Sequence, residues 1–298
     1  MIRPSISSGA NIVMLTYPNI DPVAVSIGAF TIAGKTFGPF DIHWYGLMYL
    51  VGFTGGWLLA WYRSSKKQTV IEPRQAEDLV FYSAMGVVLG ARVGYIIFYN
   101  FQAWMNDPLL IFRVWEGGMS FHGGLIGYAV AMLLFAKKYK KNFFDLVDFV
   151  APFAPLGLFF GRLGNFIGGE LYGRATDVPW AMVFPKDPTG LPRHPSQLYE
   201  ALLEGLVMFI VLFWFSSKPR PRGAVIGLFL LLYGVFRFSV EFVREPDSHL
   251  KADLWFGWVT RGQQLCLPMI IAGLALIVWA YASKRPIVQP LPRKEQAA

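Results

Sequence analysis

Seven stretches of this chain are apolar over roughly the 20 residues that a helix needs to cross a bilayer, and they constrain the fold more than any other feature. They run about 42–62, 79–101, 119–136, 146–167, 197–215, 223–243 and 264–282. In lipid every backbone polar group has to be satisfied internally, so such stretches fold as helices packed together. The composition agrees, since 54% of the 298 residues are hydrophobic and only 15% charged, far from the balance of a soluble domain. The expected architecture is an all-α integral membrane protein with seven transmembrane helices. The third stretch is short, and the fourth is broken by Pro152, Pro155 and several glycines. Segment 22–41 is apolar but interrupted by Gly, Lys and Pro, which points to an interfacial arm rather than an eighth span. Residues 1–41 form an amino-terminal arm, 42–282 the membrane domain with an outer loop segment at 168–196, and 283–298 a tail. The first twenty residues carry only the short apolar patch IVML, so no cleaved signal peptide is expected; Met14 is an alternative start.

The formal charge of +8 is spread over short loops between apolar runs, which argues for topology and against a nucleic-acid partner. The loops after spans one, three, five and seven hold fifteen Lys and Arg, and the opposite side holds nine over a greater length. The positive-inside rule then puts the carboxyl terminus in the cytoplasm and the amino terminus outside. Cys266 is the one cysteine, so neither an internal disulfide nor a multi-cysteine zinc site is available. No His and carboxylate cluster has ligand spacing, and neither a metal nor a cofactor is expected.

Three arginines interrupt the apolar runs, namely Arg92, Arg162 and Arg237. Ionisable groups at such depth are costly, and they mark functional sites by default. With the orientation above, Arg237 lies fourteen residues from the cytoplasmic start of its span, about 21 Å into a core about 30 Å thick. Arg92 and Arg162 also fall beyond the midpoints of outward-running spans, while His43, Tyr45, His122, Glu200 and Glu204 begin inward-running ones. All of them cluster toward the outer side, as one shared site would require. Arg162 and Asn165 share a helical face, as do Tyr233, Arg237 and Glu241. Each has a structural alternative: Arg237 paired to Glu241 as a buttress, Arg92 snorkelling to headgroups, His122 as a satisfied interfacial histidine, and His43 with Trp44 as part of an aromatic belt. Arg162 has no acid within one helical turn, so its structural alternative is the weakest.

The run GRLGNFIGGELYG at 161–173 resembles the signature of bacterial prolipoprotein diacylglyceryl transferases. HWYGLMYLVGF from His43, GARVGYIIFYN from Gly90, FRVWEGGMSFHGG from Phe112, RHPSQLYEALLEG from Arg193 and YGVFRFSVEFVREPD from Tyr233 are similar to the family's other blocks, in the same order. The resemblance covers about Asp21 to Tyr281. It departs at Gly168, where the family usually has asparagine, and in a compact loop from about Gly173 to Pro195.

The resemblance implies an enzyme of the bacterial inner membrane, active on its outer face. The diacylglyceryl group of phosphatidylglycerol passes to the lipobox cysteine thiol of a preprolipoprotein, a thioether forms and glycerol 1-phosphate leaves. It implies catalytic roles for His122, Arg237, Tyr45 and Glu241, with substrate binding by Arg162, Asn165, Glu170, Gly173, Tyr233 and Arg244. His122 is the attractive general base for the thiol; activation by the arginine field alone is the alternative. Two other classes fit lipid-embedded arginines: a transporter of an anionic amphiphile, which would carry polar residues through to the cytoplasmic side, and a lipid-binding scaffold that consumes nothing.

Overall fold

The computed structural model describes residues 15–113, 117–245, 256, 258–283, 287–288 and 291–292. Met14 lies outside them, as do the charges Arg3, Lys251, Lys284, Arg285, Arg293 and Lys294. Within them a helix stands at each of the seven apolar stretches. These are α1 (Trp44–Lys66), α2 (Gln75–Tyr99), the short α3 (Phe101–Asn106), α4 (Phe121–Lys138), the bent pair α5 (Phe143–Val150) and α6 (Ala154–Ile167), α7 (Ser196–Phe215), α8 (Ala224–Val240) and α9 (Arg261–Ala282). Three of them, α2, α7 and α9, are long and apolar enough to cross a membrane, and α5 with α6 makes a fourth if their 46° bend lies within one span. The break falls at Pro152, which brings no N–H to the helical ladder, and Pro155 then stands near the start of α6, where a proline is tolerated. The 17-residue α8 is apolar but short.

The expectation of an all-α chain needs correcting, because the arm is built of strands. β1 (Val23–Ile27) pairs antiparallel with β4 (Phe40–His43), and β2 (Phe30–Ile32) with β3 (Lys35–Phe37). Ala33 and Gly34 both take positive φ between β2 and β3, the conformation of a tight two-residue hairpin turn. The arm thus reaches His43, two residues past the expected boundary, and leads straight into α1. Another short pairing, Met182–Val183 with Pro192–Arg193, closes the loop between α6 and α7.

Close helix packing positions the rest. Gly86, Gly90 and Gly94 line α2 at four-residue spacing, and a Cβ on Gly94 would come within 2.6 Å of the Gly123 Cα of α4. Only glycine allows the two backbones this near, the small-residue contact common between helices in lipid. In α7 the ladder widens to a π-helical segment over Ala201–Val207, where Gly205 abuts Phe159 of α6. Such π segments recur at functional sites because they turn side chains out of α-helical register. Here the segment starts directly after Glu200 and contains Glu204.

Candidate active site

Arg162 stands in the penultimate turn of α6 and Arg237 in the last turn of α8, both facing the start of α7. The chain therefore delivers two cations from helix ends and two carboxylates from a helix start to one end of the bundle. Glu200 is the hub. Its Oε2 lies 2.7 Å from Arg162 Nε, and its Oε1 lies 3.0 Å from Arg237 Nη1 and 3.6 Å from Arg244 Nε. Glu241 follows α8 and pairs with Arg237 at 2.8 Å and with Arg244 at 4.0 Å. Its other oxygen accepts from Thr260 Oγ1 at 2.8 Å, which ties the cluster to the capped start of α9. The Glu204 carboxylate sits 3.8 Å from Arg162 Nη2.

Exposure divides this cluster by sign. The side chains of Glu200 and Glu204 are wholly buried, whereas those of Arg162, Arg237 and Arg244 keep 19%, 12% and 13% of their surface. The anions back the cations, and the arginine side chains are the partly exposed members of the cluster. An incoming anion therefore meets donors in a low-dielectric setting, where forked N–H groups suit phosphate oxygens.

Arg92 behaves differently. It is buried, and its guanidinium donates to the carbonyls of Ile111 (3.2 Å), Arg113 (2.9 Å), Gly118 (3.2 Å), Leu110 and Gly117. It does not snorkel, and the partners it has among the described residues are carbonyls. Five carbonyls occupy it, and it holds the loop that leads to Ser120, the N-cap of α4.

The remaining sequence candidates divide into several groups. Tyr45 lies against Gly164 of α6, with its ring carbon 3.0 Å from where a Cβ would stand, and its hydroxyl is 3.2 Å from that of Tyr49. Asn165 is buried on α6, and its carbonyl accepts from Glu170 N at 3.0 Å. Glu170 is exposed and bonded to Lys186 at 2.6 Å, and its backbone carbonyl accepts from Gln197 Nε2. Gly173 forms a β-bridge with Arg244, and a Cβ there would fall 2.5 Å from the Val243 carbonyl oxygen, so glycine is what lets the loop reach the end of α8. Tyr233 stacks on Phe229 one turn before Arg237. His122 stands exposed in the first turn of α4, a helix packed on α2, and is not a member of the ion pairs above.

Sequence reasoning noticed Glu200 and Glu204 but gave them no role. Their i,i+4 spacing shows that they face one way; the step left undrawn is that two carboxylates in an apolar span require cations from elsewhere. The loop supports were also missed. Arg193 binds Asp187 at 2.5 Å, lies 3.5 Å from Glu245 and covers the Tyr172 ring. Burial raises the Asp187 pKa, but its bonds to Arg193 and Thr189 outweigh that and hold it down at about 2. His194, with Nδ1 3.2 Å from the Tyr199 hydroxyl, is kept toward its neutral form by burial. Tyr17 donates its hydroxyl to the carbonyl of Phe166 at 2.5 Å and so caps α6 beside the site. Among the described residues no group of three or more His, Cys, Asp or Glu side chains is placed to hold a metal ion.

A mostly helical protein with membrane-span helices and a buried, anion-accessible arginine cluster is the class these features define. A family model described as prolipoprotein diacylglyceryl transferase matches residues 31–279. The chain belongs to that family. It is 64% identical over 268 residues to a protein of Teredinibacter turnerae, covering 90% of this chain and 93% of that one. It is 56% identical over 272 residues to one of Methylococcus capsulatus (91% and 99%) and 54% identical over 265 residues to one of a Marinomonas species (89% and 94%). All three relatives are named phosphatidylglycerol–prolipoprotein diacylglyceryl transferase.

Proposed function

We propose that this chain transfers the diacylglyceryl group of phosphatidylglycerol to the lipobox cysteine thiol of preprolipoproteins, the first step of bacterial lipoprotein maturation. The thiol sulfur attacks the glyceryl carbon, the carbon–oxygen bond to phosphate breaks, and a thioether and glycerol 1-phosphate result. The enzyme works in the cytoplasmic membrane with seven spans, amino terminus outside and carboxyl terminus inside, and its site opens to the outer face. The carrying observation is three arginine side chains that are gathered on wholly buried carboxylates and are not themselves fully buried.

Charge grows on the phosphate as the carbon–oxygen bond breaks, so cations already fixed in place stabilise the transition state more than the ground state. Arg162, with Asn165 beside it, holds the phospholipid headgroup. Arg237 answers the leaving charge, steered by Glu241 and Glu200, while Arg244 adds a third cation. Tyr45, Tyr233, Glu170 and Gly173 shape the headgroup pocket. His122 takes the thiol proton, since an imidazole titrates near neutral pH and a thiol near 8.5.

The test is transfer in detergent, with phosphatidylglycerol and a lipobox peptide as substrates. Thioether product is expected from the wild-type chain and its loss from Arg162→Ala and Arg237→Ala; undiminished product from either variant would overturn the assignment. For His122, a wild-type rate at pH 7 in His122→Gln would end its role as base.

A further inference from the structure

Glu204 is the member of the arginine cluster that the reaction above leaves unused, and its surroundings differ from those of the other two carboxylates. Its side chain is wholly buried, and among the described residues neither oxygen has a hydrogen-bond partner. The nearest cation, Arg162 Nη2, is 3.8 Å away, whereas the same arginine meets Glu200 at 2.7 Å. Among the described residues, the charged groups that act most on Glu204 are Arg162, Glu200, Arg237 and Arg244, and Tyr233 and Cys266 also interact with it. Three guanidinium groups are thus shared among three carboxylates, two of which take every ion pair shorter than 3.8 Å. A buried carboxylate with neither hydrogen bonds nor a close counter-ion is a costly arrangement, and protonation lowers that cost by removing the charge.

We propose that Glu204 is a neutral carboxylic acid in the lipid-binding state and sets the net charge of the cluster at plus one. Three arginines against the ionised Glu200 and Glu241 leave one uncompensated positive charge. That charge matches a phosphodiester headgroup, which carries one negative charge, and not a phosphomonoester, which carries up to two near neutral pH. The cluster then selects monoanionic diester lipids over phosphatidic acid. Glu204 is on this account a charge-setting residue and forms no bond with the reacting atoms. The inference rests on the headgroup reading of the cluster.

The experiment pairs infrared spectroscopy with lipid binding on the full-length detergent-solubilised chain. With carbon-13 carboxyl-labelled glutamate, the wild type is expected to show a label-sensitive C=O band of a protonated carboxylic acid that persists at pH 7 and disappears in Glu204→Gln. Calorimetry with dioctanoyl phosphatidylglycerol and dioctanoyl phosphatidic acid is expected to favour the diester at least fivefold in the wild type, with that ratio held within twofold in Glu204→Gln. In Glu241→Gln, which adds a true positive charge, the ratio should move at least fivefold toward phosphatidic acid. No protonated band, or a Glu204→Gln ratio that moves as that of Glu241→Gln does, would overturn the proposal. If the glutamine variant does not fold, Glu204→Leu and the wild-type band decide in the same way. Failure of the headgroup reading looks different: Arg162→Ala would then bind phosphatidylglycerol as well as the wild type, whatever the infrared band shows.

Discussion

Arg92 and Arg162 are the same residue type in similar apolar runs, yet their surroundings have little in common. Arg92 is closed in by five backbone carbonyls contributed by one loop. Arg162 and Arg237 lean on carboxylates from another helix and keep part of their side-chain surface exposed. The first arrangement spends every donor on the protein itself, so its contribution is structural. The second balances charge while leaving donors in reserve, as a binding site must. Saturation, more than depth in the bundle, separates the fastening from the site. The other end of the bundle repeats the saturated pattern. Asp148 accepts the Gly223 and Ile226 amides at the start of α8, and Arg222 grips Asp145 with two bonds at 2.5 and 2.8 Å.

Substitutions can break this contrast. The largest expected effect is in Arg237→Ala, which should lower transfer by about 10²–10³-fold, the usual range for removing one charge-stabilising donor, and lower the melting temperature as well, because Glu200 and Glu241 lose a shared counter-ion. Next comes Glu200→Gln. Removing one partner of a buried pair costs about 3 kcal/mol or more, so both melting temperature and transfer should fall, and a variant with an unchanged melting temperature would mean that Glu200 is not the hub. Gly173→Ala places a Cβ against the Val243 carbonyl and should cost about 1–3 kcal/mol as overpacking does, with lipid affinity weakened because Arg244 is displaced. Arg92→Ala should lower the melting temperature while phosphatidylglycerol affinity stays within about twofold; a large affinity loss would erase the difference between Arg92 and Arg162. The smallest effect concerns Asp187. Its folded pKa of about 2 lies below the ordinary value of 3.8. Its support of the loop is therefore complete above pH 4 and is lost as pH falls from there through about 2. Hydrogen exchange in segment 187–193 should accelerate over that window, and Asp187→Asn should remove the dependence.

Much of this was legible in the chain. Every apolar stretch became a helix, and Arg237 with Glu241 could be read from i,i+4 spacing and is observed at 2.8 Å. The gathering of Arg162, Arg237 and their neighbours at one end of the bundle followed from the direction of the helices. What separates Arg92 from Arg162 was not legible, because the partners lie far along the chain: a loop 18 to 26 residues away for one, and Glu200 on another helix for the other. Helical periodicity reports faces and not which face meets which. The arm shows another limit. Its Gly, Lys and Pro interruptions excluded a span, but the pairing of β1 with β4 across 13 or more residues depends on two hairpins closing together.

The central claim is that Arg162 and Arg237 hold a lipid phosphate. Titrating dioctanoyl phosphatidylglycerol into the wild-type chain and into Arg162→Ala, Arg237→Ala and Arg92→Ala, with binding followed by phosphorus NMR, tests it directly. The account predicts that affinity falls at least tenfold in the first two variants and less than about twofold in Arg92→Ala. Equal losses in all three, or none in Arg162→Ala and Arg237→Ala, would contradict it.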